Sequence, residues 1–194
     1  MKFRITSLLG AIALTVTLLS SSISNASDTG INLSLEGGGD YFAQTGITSY
    51  TFGVGGRVGY SVSPLMEVGF GYTFTNQTGG TFNTQLGTLK QTNDVSFFML
   101  DVLHHFSGHP AAYFGVLFGL GLDNSTVGAP ALSPQNPAKK VSGLSAGLTW
   151  GAVAGYDFAL GGGMSFGPRV AALNELIVGS VTVVQTHLNL KYSF

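Results

Sequence analysis

The sequence predicts an all-β protein, an eight-stranded antiparallel up-and-down transmembrane β-barrel, and three observations predict it. Only 9% of the 194 residues are charged, against roughly 25% in an ordinary soluble domain. Beyond residue 26 there is no unbroken apolar run of the roughly 20 residues a membrane helix needs. Instead, apolar residues recur at every second position in eight segments, and charge keeps to the opposite phase. A chain poor in charge yet without a spanning helix suits a barrel, in which half of each strand meets lipid and half lines a lumen.

Residues 1–26 read as an export signal peptide. Lys2 and Arg4 form a positive start, residues 8–19 an apolar core, and Ser24-Asn25-Ala26 a small-residue site that puts cleavage after Ala26. As a retained anchor helix the apolar run would be too short to span comfortably. Residues 27–194 then form one domain, the barrel. There is no cysteine, which excludes disulfides, thiolate metal sites, a thiol nucleophile and the acylated cysteine of a lipoprotein. After residue 26, six Lys plus Arg stand against nine Asp plus Glu, a net charge of minus three. No basic surface for nucleic acid follows from that balance.

The segments follow in order. In the first, Ile31, Leu33, Leu35 and Tyr41 alternate with Asn32, Ser34, Glu36 and Asp40. The second sets Phe52, Val54, Val58 and Tyr60 against Gly53, Gly55, Arg57 and Gly59. The third sets Met66, Val68, Phe70, Tyr72 and Phe74 against Glu67, Gly69, Gly71 and Thr73. The fourth, the most apolar, sets Phe98, Leu100, Val102 and Phe106 against Phe97, Met99, Asp101 and His105.

In the fifth, Phe114, Val116, Phe118 and Leu120 oppose Tyr113, Gly115, Gly119, Gly121 and Asp123. In the sixth, Leu144, Leu148, Trp150 and Tyr156 oppose Gly147, Thr149, Gly151 and Asp157; this stretch comes nearest to a spanning helix but is broken by Ser142, Ser145 and four glycines. The seventh is weaker, with Phe166, Pro168 and Val170 against Gly167 and Arg169. The last runs Val184, Leu188, Leu190, Tyr192 and Phe194 against Gln185, His187, Asn189 and Lys191. Nine charged residues fall within these segments and none shares the apolar phase. A soluble lipocalin-like barrel or sandwich also alternates, but its polar phase would meet water and carry Lys and Glu, whereas here it is largely glycine.

Connections alternate in length, as in a barrel with distinct ends. The short ones are 63–64, 107–110 and 159–163; the longer are 43–50, 76–93 and 124–142, with a modest one near 175–180. An even strand number puts both termini beside the short turns, on the periplasmic side, and leaves the long polar loops extracellular. Pro168 forfeits a ladder hydrogen bond, so a bulge or irregularity is expected there.

Leu188, Leu190, Tyr192 and the final Phe194 resemble the C-terminal signal by which the assembly machinery of bacterial outer membranes recognises its barrels. More broadly, residues 98–106, 112–121 and 151–158 are similar in plan to the family of small outer-membrane β-barrel proteins of the OmpA and OmpX type. No peptidoglycan-binding domain follows in this sequence, so an OmpA-type wall anchor is not expected. The resemblance implies an outer-membrane location, with membrane lipid, lipopolysaccharide and the assembly machinery as partners. It speaks to fold and location more than to activity.

Glu36, Arg57, Glu67, Asp101, Arg169 and Lys191 form the candidate site, a charge network across the lumen. An eight-stranded lumen is only just wide enough for its side chains, and buried charges must be paired. The network then acts as a structural plug, or as the switch of a narrow solute channel, an alternative that inward glycines keep open by leaving unfilled space. Histidines 104, 105 and 109 suggest a metal, but His104 and His105 point to opposite faces and no third ligand is near. His105-Phe106-Ser107 superficially resembles the His-x-Ser pair of lipid A-deacylating barrels, yet the next acid, Asp123, lies toward the far end of another strand. No enzyme activity, metal or cofactor is expected. Asn76-Gln77-Thr78 and Asn124-Ser125-Thr126 match the glycosylation triplet but read as loop polarity. The expected role is that of an envelope component, and any surface ligand falls to loops 76–93 and 124–142.

Overall fold

The computed structural model describes residues 30–44, 47–77, 81–84, 87–129, 139–176 and 181–194. The signal-peptide reading of residues 1–26 lies outside them. The described chain is all strand: β1 (Ile31–Gln44), β2 (Ile47–Ser63), β3 (Met66–Gln77), β4 (Thr81–Thr84), β5 (Gly87–Phe106), β6 (His109–Ala129), β7 (Lys139–Tyr156), β8 (Phe158–Gly161), β9 (Met164–Leu176) and β10 (Val181–Ser193).

Eight of these are staves of a closed antiparallel barrel. The order runs β10-β1-β2-β3-β5-β6-β7-β9, and β9 pairs back to β10. Closure is complete along the first stave: Leu35 lies opposite Gly56 on one side and Leu190 on the other. A closed sheet satisfies its backbone groups without an edge, the condition for strands to cross hydrocarbon. The remaining two strands are appendages. β4 forms a small hairpin with β5, and β8 continues the line of β7 beyond Asp157, pairing with β9.

The sides of the wall are inverted relative to a soluble protein. Outward residues include Phe52 at 64% exposed, Val116 at 62% and Trp150 at 52%, whereas inward Glu67 and Asp101 are buried. An apolar belt of this extent is far larger than the few hundred Å² a soluble monomer tolerates. Period two accounts for both faces at once, because one strand can serve lipid and lumen only by alternating.

At one rim, β8 turns into β9 through Gly161, Gly162 and Gly163 at φ of 92°, 60° and 79°. These left-handed conformations cost a side-chain-bearing residue about 1–2 kcal/mol each, so the turn is built from glycine.

Three expectations need correction. Of the stretches 76–93 and 124–142, expected as loops, the described residues 76–77, 81–84, 87–93, 124–129 and 139–142 are strand, and the others lie outside the described residues. β5 and β6 stay paired as far as Lys90 and Gly128, and β7 begins at Lys139. Their Thr, Ser and Asn residues break the apolar alternation once the strands leave the lipid belt, but antiparallel pairing continues without it. Glu175, expected in a connection, is a buried residue of β9. The irregularity expected at Pro168 falls on the neighbouring strand. Pairing of β9 with β10 passes unbroken through Pro168 and Leu188, while the β7 ladder ends at Gly155 opposite Arg169 and resumes as β8 at Phe158 opposite Phe166. The missing N–H therefore faces the β7 side, where the ladder is interrupted, while on its other side Asp157 N donates to Ala111 O of β6 at 2.8 Å.

Candidate functional site

Each strand delivers its polar phase into the lumen, and the barrel's closure brings together residues far apart in sequence. Arg57 on β2 is the hub. Its Nε donates to Asp101 Oδ2 at 2.6 Å, its Nη2 to Asp101 Oδ1, and its Nη1 to Glu67 Oε1 and, at 3.2 Å, to Asn32 Oδ1. Glu67 also accepts from Lys191 Nζ at 2.7 Å, and Lys191 faces Asp157 at 3.7 Å. Arg169 Nη1 donates to Glu36 Oε2 at 2.6 Å. All six sequence-predicted charges thus lie in the lumen, four around Glu67 and Arg57 and two in the Arg169–Glu36 pair.

The lumen also holds partners outside that predicted group. His187 Nε2 donates to Asp40 Oδ1 at 2.8 Å, and Asp40 accepts from Thr75 Oγ1. The other ring nitrogen of His187 faces Glu36 Oε1 at 3.9 Å. His105 Nε2 lies 3.7 Å from Glu67 Oε2. The alternation already places Asp40, His105, Asp157 and His187 inward. Their pairing depends on the stagger between staves, which no single segment carries.

The inward glycines are not unfilled space. A Cβ at Gly59 or Gly69 would collide with the Arg57 guanidinium, one at Gly53 with the Asp40 carboxylate, and one at Gly121 with that of Glu175. Small residues on one stave make room for long charged side chains from another, so the lumen fills despite its glycine. The gap left among Ser34, Glu36, Arg57, Tyr113, Asn189 and Lys191 has room for about one water molecule. Toward the other rim, Phe42, Val95, Phe97, Leu173 and Val183 form an apolar plug.

Other candidate groups do not converge. His104 points outward, its ring 5.5 Å from that of Phe114, while His105 points inward and donates through Nδ1 to Pro110 O at 2.9 Å. His109 is exposed at the start of β6. Among the described residues no cluster of three or more His, Asp or Glu has metal-site geometry. Ser107 is exposed at the short-turn rim, whereas Asp123 lies on β6 toward the opposite one. At the C-terminus Leu188, Leu190 and Tyr192 face outward, and Phe194 packs edge-on against Tyr192 at 4.7 Å.

No protein-family pattern and no curated sequence matches this chain. Solved structures do match it. Neisserial surface protein A is 10% identical over 88% of this chain and 100% of its own, with a TM-score of 0.58. The attachment invasion locus protein of Yersinia pestis is 13% identical over 86% and 97%, at 0.56. A major outer membrane protein of Thermus thermophilus is 15% identical over 84% and 99%, at 0.53. The chain has the fold of the small outer-membrane β-barrels, with eight staves and a filled lumen.

Proposed function

We propose that this chain is an integral protein of a bacterial outer membrane whose lumen is a closed, charge-locked plug and whose working surface is a sheet rising above the barrel. The observation that carries the reading is where the ladders stop. β3 pairs with β5 only as far as Gln77 and Asn93, and β9 pairs with β7 only as far as Leu148 and Leu176. Beyond those points β4, β5, β6 and β7 continue as a four-stranded sheet that pairs with no other stave among the described residues. Residues 139–147 extend roughly 30 Å along the strand. A sheet that extends past the closed wall serves interaction, and the barrel beneath it is the anchor.

On this reading lipid and lipopolysaccharide surround the belt, the assembly machinery inserts the barrel through its C-terminal strand, the termini are periplasmic, and the protein catalyses nothing. Separation of membranes by density should place the protein in the outer-membrane fraction. Protease added to intact cells should cut within 124–142 and leave the barrel whole. Pure protein in planar bilayers should give no discrete conductance steps; defined open steps would replace the plug with the solute-channel reading. Mass spectra of lipid A from cells expressing the protein should be unchanged, and altered acylation would make it an enzyme.

A further inference from the structure

At the rim opposite the short turns, two carboxylates enter the lumen with no cation among the described residues to meet them. Asp123 on β6 and Glu175 on β9 face inward, and Thr149 on β7 lies opposite Glu175 in the β7–β9 ladder. The Glu175 carboxylate overlies Gly121, where a Cβ would strike it, and the same Cβ would stand 3.0 Å from Thr149 Oγ1. Asp123 follows two residues later on the same face of β6. Glu175 and Thr149 are at most 2% exposed. Glu175 Oε1, Asp123 Oδ1 and Thr149 Oγ1 are all buried without a hydrogen-bond partner.

The barrel's other lumen acids do not share this condition. Glu36, Glu67, Asp101 and Asp157 each face Arg57, Arg169 or Lys191, and Asp40 faces His187. Among the described residues no Lys, Arg or His pairs with Asp123 or Glu175. A buried carboxylate without a partner costs several kcal/mol; here Glu175 lies near an unpartnered hydroxyl that is fully enclosed, and Asp123 enters the lumen two residues along β6 from Gly121. Oxygen donors alone, two of them anionic, are the chemistry of a hard cation, with water completing the shell.

We propose that Asp123, Glu175 and Thr149 form a binding subsite for one divalent cation of the Ca2+ or Mg2+ class, just inside the loop-side mouth of the barrel. Two carboxylates rather than three or four place its dissociation constant in the range of about 0.1–1 mM, as for extracellular calcium modules. The site joins β6, β7 and β9 where the projecting sheet leaves the barrel, so occupancy ties that sheet to the wall.

The test is calorimetric titration of CaCl2, and separately MgCl2, into the folded full-length protein in a zwitterionic detergent at about pH 8, where protons compete least. One-to-one binding is expected, weakened about tenfold or more in Glu175→Gln and Asp123→Asn. Each variant is first shown to be folded by its altered gel mobility without boiling. Absence of binding to the unaltered protein overturns the proposal, since the pair is then neutralised by a proton. Binding that survives both Glu175→Gln and Asp123→Asn overturns it too, by placing the cation elsewhere.

Discussion

Toward the short turns the lumen is filled by Arg57, Arg169 and Lys191 laid among Glu36, Glu67, Asp101 and Asp157, with glycines beneath the long side chains. Toward the long connections it is filled by Phe42, Val95, Phe97, Leu173 and Val183, with Asp123 and Glu175 at the margin. Both halves exclude water from the same narrow cylinder, by different means. The apolar half needs only volume. The charged half needs every partner, because each ion has left water and only its neighbours compensate. A membrane barrel can therefore close its lumen by packing or by pairing, and the two closures fail differently.

The largest effects should expose that difference. Arg57→Met leaves Glu67 and Asp101 facing an apolar side chain and should lower stability by about 3–5 kcal/mol, read as the urea midpoint of unfolding from bilayers. Adding Glu67→Gln and Asp101→Asn to it should recover much of the loss. Phe97→Ala should cost a similar amount, about 3–5 kcal/mol, but through a cavity, so that no change of charge nearby restores it. If the same two neutralising changes rescued Phe97→Ala, the distinction between the halves would be lost.

Next in size is a test of the wall itself. Phe118→Arg puts a cation on the lipid face and should cost about 2–4 kcal/mol of folding into bilayers; in detergent micelles, where the wall is thinner and wetter, the penalty should shrink. A smaller effect is expected from Gly69→Val, which crowds the Arg57 guanidinium. Overpacking should cost about 1–3 kcal/mol, and the loss should diminish in a background where Arg57 is already Met. Equal losses in both backgrounds would mean that Gly69 does not serve the network.

Much of this is legible in the residues. Alternation alone separates Leu100 from Asp101 and Trp150 from Thr149, because a strand between lipid and lumen has no third environment to offer. It also places Glu36, Arg57, Glu67, Asp101, Arg169 and Lys191 on one side of the wall. Which of these meet is not legible. Arg169 reaches Glu36 across 133 positions, a contact set by barrel closure and stagger rather than by local pattern. The upper ends of β5, β6 and β7 carry polar residues that resemble a loop; pairing, not hydropathy, keeps them extended. The inward glycines mislead in sign, since a missing side chain suggests space until its neighbour across the lumen is known. Glu175 is hidden by lying beyond the last clear apolar alternation of its strand.

Trp150 is the chain's single tryptophan and projects from the middle of the apolar face of β7, opposite Phe118. Its fluorescence in vesicles of brominated phospholipid therefore reads directly what bathes the wall. Strong quenching by bromine on the acyl chains, with little quenching by acrylamide in the water, is the predicted result. Ready quenching by acrylamide and indifference to the brominated chains would contradict the account at its root.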